Sequence, residues 1–151
     1  MKKDKSVKRA HSYWKSGFSC AEIVLASYCE QFGLDPDLGL KISNVFIGGT
    51  AQDGRMCGVV TAALMVFGLK YGRTRVEEGS PENGKAMVLS KELMNRFKAR
   101  NHGNIYCKDL RGFDVSTPEG MSERNRRIQN NTLPCCLKYI KDAVEIIDDL
   151  L

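Results

Sequence analysis

The chain has 151 residues, of which 42% are hydrophobic and 27% charged, and this composition is typical of a globular protein with a buried core. The net charge of +5 and the pI of about 8.9 are only mildly basic, which argues against a dedicated nucleic-acid-binding protein. The longest uncharged stretch, residues 56–69, is shorter than the roughly 20 residues that span a bilayer, so no membrane insertion is expected.

The N-terminal segment MKKDKSVKR is basic, but no apolar run with a cleavage site follows it. A cytoplasmic location is therefore expected. In that compartment, six cysteines indicate metal or redox chemistry rather than structural disulfides.

The first part of the chain is predicted to form three short helices separated by turn and cap signals. A capping box at Ser19 and Glu22 predicts that one helix begins there and runs to about Gly33. Apolar periodicity with a stop glycine predicts the helix before it, over about residues 6–17. An aspartate–proline start predicts the helix after it, over about residues 35–44.

A glycine-rich segment, IGGTAQDGRMCG, leads into an apolar helix predicted over about residues 55–71. Apolar residues surround the axis of this helix, and a helix that is apolar all round is central and buried. NVFIGG, which overlaps the start of the glycine-rich segment, could form a short strand, but no obvious partner strand is present.

The second half of the chain continues with helix signals. Ser80–Pro81 predicts the start of a helix that Gly103 stops, Thr117 predicts the start of another, and TLPCC opens the last. IYCKDLRGFDVS is predicted to be a connector with at most one helical turn. The prediction is an all-α fold: one domain, residues 1–151, with six or seven helices around the central apolar helix.

Four cysteines lie at or next to predicted helix starts. Cys20, Cys57 and Cys136 fall at predicted helix starts, and Cys107 precedes a short turn. The helix dipole and the free N–H groups of a first turn favour the thiolate, so lowered thiol pKa values are expected at these positions. The first three also share helix faces with apolar residues, which predicts that they point inward.

The spacing of the four cysteines is uninformative, because no C-x-x-C pair is present and a joint site could form only in the fold. Buried cysteines often serve as small hydrophobic residues, and this alternative stays open for each of them. Cys29 is interpreted as a buried filler and Cys135 as a spare. His102 is interpreted as a solvated residue near a helix end rather than as an assistant to Cys107.

SGFSCAEIVL, CGVVTAALMVFGLKYG, HGNIYCKDLRGFD and CLKYIKDAVEII occur in this order and together resemble the C-GCAxxG-C-C family of small redox-active proteins. The resemblance covers nearly the whole chain. Its four named cysteines correspond to Cys20, Cys57, Cys107 and Cys136. The chain departs from the family pattern at Val59 and Ala62, where alanine and glycine are expected.

The resemblance implies a redox role without naming a reaction. A related four-cysteine helical domain in split-Soret cytochromes looks like a site for a two-iron, two-sulfur cluster. Covalent haem attachment is not expected here, because C-x-x-C-H is missing. No nucleotide is expected either, because GGTAQDG lacks the G-K-[ST] of a phosphate-binding loop.

Three hypotheses follow. In the first, Cys20, Cys57, Cys107 and Cys136 bind a metal centre, [2Fe–2S] or otherwise zinc, for electron transfer or redox sensing. In the second, Cys57 is a redox-active thiol, with one of the other three as its resolving cysteine. In the third, the cysteines only pack, and the chain is a helical scaffold. The redox partner is not identified, a homodimer is a candidate assembly, and the sequence leaves open whether the chain is an enzyme.

Overall fold

The structure is a computed structural model that describes residues 2–77, 84–130 and 135–151. Within these ranges it contains α-helices and two short 3-10 helices but no strand, so the predicted all-α class is confirmed. The α-helices are α1 (Lys2–Lys15), α2 (Cys20–Cys29), α3 (Pro36–Ser43), α4 (Gly58–Tyr71), α5 (Lys85–Arg100), α6 (Cys107–Arg111), α7 (Pro118–Gln129) and α8 (Cys135–Leu150).

The described ranges therefore hold eight α-helices, more than the six or seven predicted. The difference includes α6, which spans only five residues and lies in the segment predicted as a connector. The predicted helix start at Ser80–Pro81 lies outside the described residues; within them, this helix is α5. The capping box is reflected in the hydrogen bond from the Ser19 backbone N–H to the Glu22 carboxylate, at 2.8 Å.

The core is built around α2 and α4, which pack against each other. α2 also packs on α1, α3 and α8, and α4 on α5 and α8. Both helices bury residues on all sides, as the apolar sequence of α4 predicts. The fully buried residues of α4 are Val59, Val60, Ala62, Ala63, Val66 and Phe67.

The strand suggested for NVFIGG is wrong. Residues 44–46 form a 3-10 helix, because with no partner strand the backbone bonds locally; the N–H of Ile47 donates to the carbonyl of Asn44 at 3.4 Å. Within the described residues, extended pairing occurs as one isolated antiparallel bridge, between Met56 and Tyr106.

No helix among the described residues is both long enough and apolar enough to cross a membrane.

Candidate functional site

The four cysteines singled out from the sequence line one small cavity in the described part of the chain. Cys20 begins α2, Cys57 is the residue before α4, Cys107 begins α6, and Cys136 lies in the first turn of α8. The cavity has a volume of about 20 Å³. Its other lining residues are Gly48, Gly58, Val59, Leu110, Arg111 and Tyr139. Segments far apart in the sequence thus meet at their helix starts.

Cys57 and Cys107 are held near each other by the short antiparallel pairing of their segments. The N–H of Cys57 donates to the carbonyl of Ile105 at 2.9 Å, and the N–H of Cys107 donates to the carbonyl of Arg55 at 2.6 Å. These two bonds flank the Met56–Tyr106 bridge. The connector containing Cys107 is therefore fixed to the segment that enters α4.

Cys20 is positioned by the buried carboxylate of Glu22, which is 8% exposed. One oxygen of Glu22 accepts the N–H of Ser19, and the other accepts the side-chain amide of Asn44 at 2.8 Å. Because Asn44 begins the 3-10 helix that leads to the glycine-rich segment, Glu22 joins the start of α2 to that segment.

Residues 48–54, here called the left-handed loop, contribute Gly48 to the lining of the cavity. Five consecutive residues, 48–52, have positive φ angles, and three of them are not glycine: Thr50 (64°), Ala51 (50°) and Gln52 (60°). Each such non-glycine residue costs on the order of 1–3 kcal/mol, and strain of this kind tends to cluster at functional sites.

The left-handed loop brings backbone close to two of the cysteines. The N–H of Gly48 donates a hydrogen bond to the Cys20 sulfur. A Cβ on Gly49 would lie 2.7 Å from the Cβ of Cys107 and 2.6 Å from the backbone of Arg55, so only glycine fits there. The glycines thus permit close packing around the cysteines, in addition to the turn into α4.

Burial dominates the acidity of the inner thiols. Cys57 is only 6% exposed, and burial raises its pKa well above the usual range. Burial also raises the pKa of Cys20. The expectation that helix starts lower these pKa values is therefore wrong for both residues, because removal from water penalises the thiolate more than the nearby N–H groups favour it.

Backbone N–H groups nevertheless point at both sulfurs and act against this rise in pKa. The N–H groups of Val59 and Val60 donate to the Cys57 sulfur, and those of Gly48 and Ala21 donate to the Cys20 sulfur. The predicted electrostatic preference for negative sulfur is thus present, but it is weaker than desolvation. A bound cation would reverse this balance, since a coordinating thiol is deprotonated.

Arg111 supplies positive charge at the cavity wall, where its guanidinium lowers the pKa of Cys20. The described residues that line the cavity include no Asp or Glu. Cys57 is also close enough to Cys20 and Cys107 that negative charge on either would further raise its pKa. The site is therefore a thiol cluster with one adjacent cation and apolar walls.

The donor set fits a metal centre that takes thiolate ligands, such as zinc or an iron–sulfur cluster. As the side chains stand, however, the described residues contain no group of three or more His, Cys, Asp or Glu that could hold a metal ion. Ligation would thus require the cysteine side chains to move from these positions. Val59, one of the departures from the family pattern, lines the cavity and occupies part of this space.

Other residues considered from the sequence lie elsewhere. Cys29 is fully buried and donates its S–H to the carbonyl of Leu25 at 3.3 Å, as expected of a filler. The side chain of Cys135 lies outside the described part of the structure. His102 is exposed with a left-handed backbone (φ 54°) and is not among the residues that line the cavity.

Sequence reasoning missed Arg111 and Tyr139, although helical spacing could have identified both. Arg111 lies four residues after Cys107, and Tyr139 lies three residues after Cys136, so each shares a helix face with its cysteine. Tyr139 also closes the cavity by donating its hydroxyl to the carbonyl of Leu110 at 2.7 Å.

An all-α fold with four cysteines on one cavity defines a candidate cysteine-based redox or metal-binding protein. A family model described as "Putative redox-active protein (C_GCAxxG_C_C)" matches residues 18–150, and the chain belongs to this family. The resemblance drawn from the sequence is thereby confirmed. No curated protein and no solved structure matches the chain.

Proposed function

We propose that Cys20, Cys57, Cys107 and Cys136 form a metal centre that serves electron transfer or redox sensing. The preferred occupant is a [2Fe–2S] cluster, and zinc is the second choice. The observation that carries this proposal is that all four cysteines line a single cavity of about 20 Å³. Two-iron clusters and structural zinc ions both take four thiolate ligands.

A bound cluster would supply one-electron redox chemistry, whereas zinc has none. The residues of the chain provide the surroundings. Arg111 would offset the negative charge of the ligating thiolates, and the N–H groups on the Cys20 and Cys57 sulfurs would favour the more reduced charge state. The apolar walls and the low exposure of Cys57 and Cys107 would keep water from these two sulfurs.

Thiol–disulfide chemistry is the second candidate, and it is favoured by the closeness of Cys57 to both Cys20 and Cys107. Two such thiols would form one S–S bond, giving two electrons and two protons to an oxidant such as another protein disulfide. The burial of Cys57 makes it a poor attacking thiolate. Cys20 also borders an open groove and is better placed to begin the exchange.

The test is the visible absorption spectrum of protein purified without oxygen, with iron, zinc and acid-labile sulfide assayed on the same sample. We expect iron, sulfide and a visible band. Each of four single alanine variants should reduce the bound metal to background: Cys20→Ala, Cys57→Ala, Cys107→Ala and Cys136→Ala. Cys29→Ala is the matched control, because this buried cysteine lies on α2 but outside the cavity, and it should keep the metal.

The other outcomes separate the alternatives. Zinc without colour would make the centre structural and would contradict electron transfer. No metal, with thiols that oxidise reversibly in pairs, would favour thiol–disulfide chemistry. No metal, with six thiols that stay unreactive until the protein unfolds, would overturn both redox proposals and leave a helical scaffold.

A further inference from the structure

A second, larger cavity adjoins the cysteine cavity, with which it shares lining residues, and is called here the outer groove. It has a volume of about 500 Å³, within the range of roughly 300–1,000 Å³ that is usual for small-molecule sites. Cys20, Gly48, Arg111 and Cys136 line both cavities. A molecule in the outer groove would therefore contact the cysteine cluster from its accessible side.

The walls of the outer groove are mostly apolar and come from five parts of the fold. The end of α1, the segment before α2, the left-handed loop, the region of α6 and α7, and the start of α8 all contribute. The apolar side chains are Trp14, Phe18, Ile47, Val115, Ile128 and Leu137. These walls suit an apolar ligand body, whether flat or aliphatic, better than a sugar or another highly polar molecule.

The charged residues described in the lining of the outer groove are both positive. Arg111 and Arg124 both line it, and its described lining residues include no Asp or Glu. The Arg111 guanidinium is held over the ring of Phe113, 5.2 Å from the ring centroid. Arg124 makes a long hydrogen bond of 3.4 Å to the side chain of Asn125. Two guanidinium groups beside apolar walls favour a ligand that carries a carboxylate or a similar anion.

Backbone strain in the left-handed loop gives an independent indication. Gly48 and Gln52 are the residues of this loop that line the outer groove, and Gln52 is held at a φ of 60°. A non-glycine residue held in this region is unfavourable, and such residues are concentrated at ligand sites. The strained backbone thus presents an amide side chain, with both donors and an acceptor, to the outer groove.

We propose that the outer groove binds a small organic acid, with its apolar body along the walls and its anionic group near Arg111 and Arg124. This inference names a ligand that would contact the cysteine centre, and to that extent it rests on the proposed function. The binding itself requires only the outer groove. Arg124 is the more informative residue to change, because it lines the outer groove but not the cysteine cavity.

The test is a fluorescence titration with anilinonaphthalenesulfonate, a small aromatic anion. Phenylnaphthylamine, which has the same aromatic body without the sulfonate, is the uncharged comparison. We expect saturable binding of one sulfonate probe per chain. Arg124→Gln should weaken this binding about fivefold, as for the loss of one partly exposed charge interaction, and should leave phenylnaphthylamine binding unchanged.

Arg126→Gln is the matched control. Arg126 is on the same helix, pairs with Glu123 and is not among the residues that line the outer groove, so this change should leave both probes unaffected. Non-saturable binding, equal affinity for the two probes, or equal effects of the two substitutions would overturn the inference. Inorganic phosphate should compete poorly, and displacement of the probe by phosphate at low concentration would also contradict a site that needs the apolar body.

Metal content measured on the same samples separates this inference from the proposed function. The Arg124→Gln variant should retain the metal but bind the sulfonate probe more weakly. The Cys57→Ala variant should lose the metal but bind the probe as tightly as wild type. If Arg124→Gln bound the sulfonate probe as tightly as wild type, the ligand groove would be overturned, whatever the metal content. If wild type held no metal, or Cys57→Ala retained it, the metal centre would be overturned, whatever the probe binding.

Discussion

The two ends of helix α2 carry cysteines in opposite hydrogen-bonding situations. At the first residue, the sulfur of Cys20 accepts N–H groups from Gly48 and Ala21. At the last residue, the S–H of Cys29 donates to the carbonyl of Leu25. Burial raises the pKa of both thiols, so burial alone does not distinguish them. The two thiols are distinguished by the direction of their hydrogen bonds.

A sulfur that accepts hydrogen bonds from N–H groups has partners that would stabilise a thiolate. A sulfur that donates its S–H to a carbonyl has a partner that stabilises only the neutral thiol. Deprotonation of Cys29 would place a negative sulfur against the carbonyl of Leu25 and near Asp35. Deprotonation of Cys20 would bring its sulfur into favourable contact with two N–H groups and the nearby Arg111. The start of α2 thus suits a ligand or a redox thiol, and its end suits a filler.

The largest expected effect is at the Cys20 end, where Gly58 of α4 packs against α2. A Cβ at Gly58 would lie 2.6 Å from the carbonyl oxygen of Phe46 and 3.1 Å from the Cys20 sulfur. Because the Phe46 oxygen belongs to the backbone, it cannot move aside cheaply. Gly58→Ala should lower the free energy of unfolding by about 3 kcal/mol, measured by urea denaturation.

Removal of the cysteine should not rescue this variant. Gly58→Ala should destabilise Cys20→Ala by as much as it destabilises wild type, because the clash with the Phe46 oxygen persists. Recovery of most of the lost stability in the double variant would mean that the sulfur, and not the backbone, limits the approach of α4 to α2.

The sequence was sufficient for the parts of this comparison that depend on local pattern. Apolar residues on every side of α4 predicted its burial, and cap signals placed Cys20 at a helix start. A local sequence pattern does not tell how deeply a side chain is buried in the fold, and burial is the main cause of the raised pKa of Cys57. The convergence of four cysteines likewise depended on tertiary packing between distant segments.

The left-handed loop was the hardest part to predict. Thr50, Ala51 and Gln52 have no intrinsic preference for positive φ, but their N–H groups donate to the carbonyls of residues 45–47, at 2.7–3.3 Å. The end of the loop is fixed by a contact distant in sequence, in which the N–H of Cys107 donates to the carbonyl of Arg55. Arg111 was predictable from its spacing to Cys107, but only once α6 is known to be a helix.

An intermediate effect is expected at the Cys29 end. A Cβ at Gly39 of α3 would overlap the sulfur of Cys29. Gly39→Ala should therefore destabilise the protein by about 1–3 kcal/mol through overpacking, offset in part by about 1 kcal/mol of helix propensity. Here the obstacle is one side chain, so Cys29→Ala should rescue it: the double variant should be about 1 kcal/mol more stable than Cys29→Ala alone.

Gly68→Ala is the control for helix propensity. Gly68 is an exposed position within α4, and a Cβ there would meet no atom within 4 Å. This change should raise the free energy of unfolding by about 1 kcal/mol without any dependence on Cys29. If Gly39→Ala were as stabilising as Gly68→Ala, the close contact between α3 and the sulfur of Cys29 would be disproved.

The remaining difference between the two ends of α2 concerns pH. Burial, and next to it the negative charge of Asp35, raises the pKa of Cys29 to about 11, whereas an exposed cysteine titrates near pH 8.5. The folded protein therefore keeps this proton at a pH where the unfolded chain has released it. The contribution of the neutral thiol is complete below about pH 8.5 and is lost as the pH rises toward 11.

Urea denaturation of wild type and Cys29→Ala between pH 7 and pH 10.5 would measure this difference. The free energy of unfolding of wild type should fall relative to that of Cys29→Ala above about pH 8.5. Other cysteines and lysines titrate in both proteins, so only the difference between the two curves reports on Cys29. A constant difference across this range would mean that the Cys29 thiol ionises as easily in the folded protein as in the unfolded chain. The contrast between the two ends of α2 would then have to rest on geometry alone.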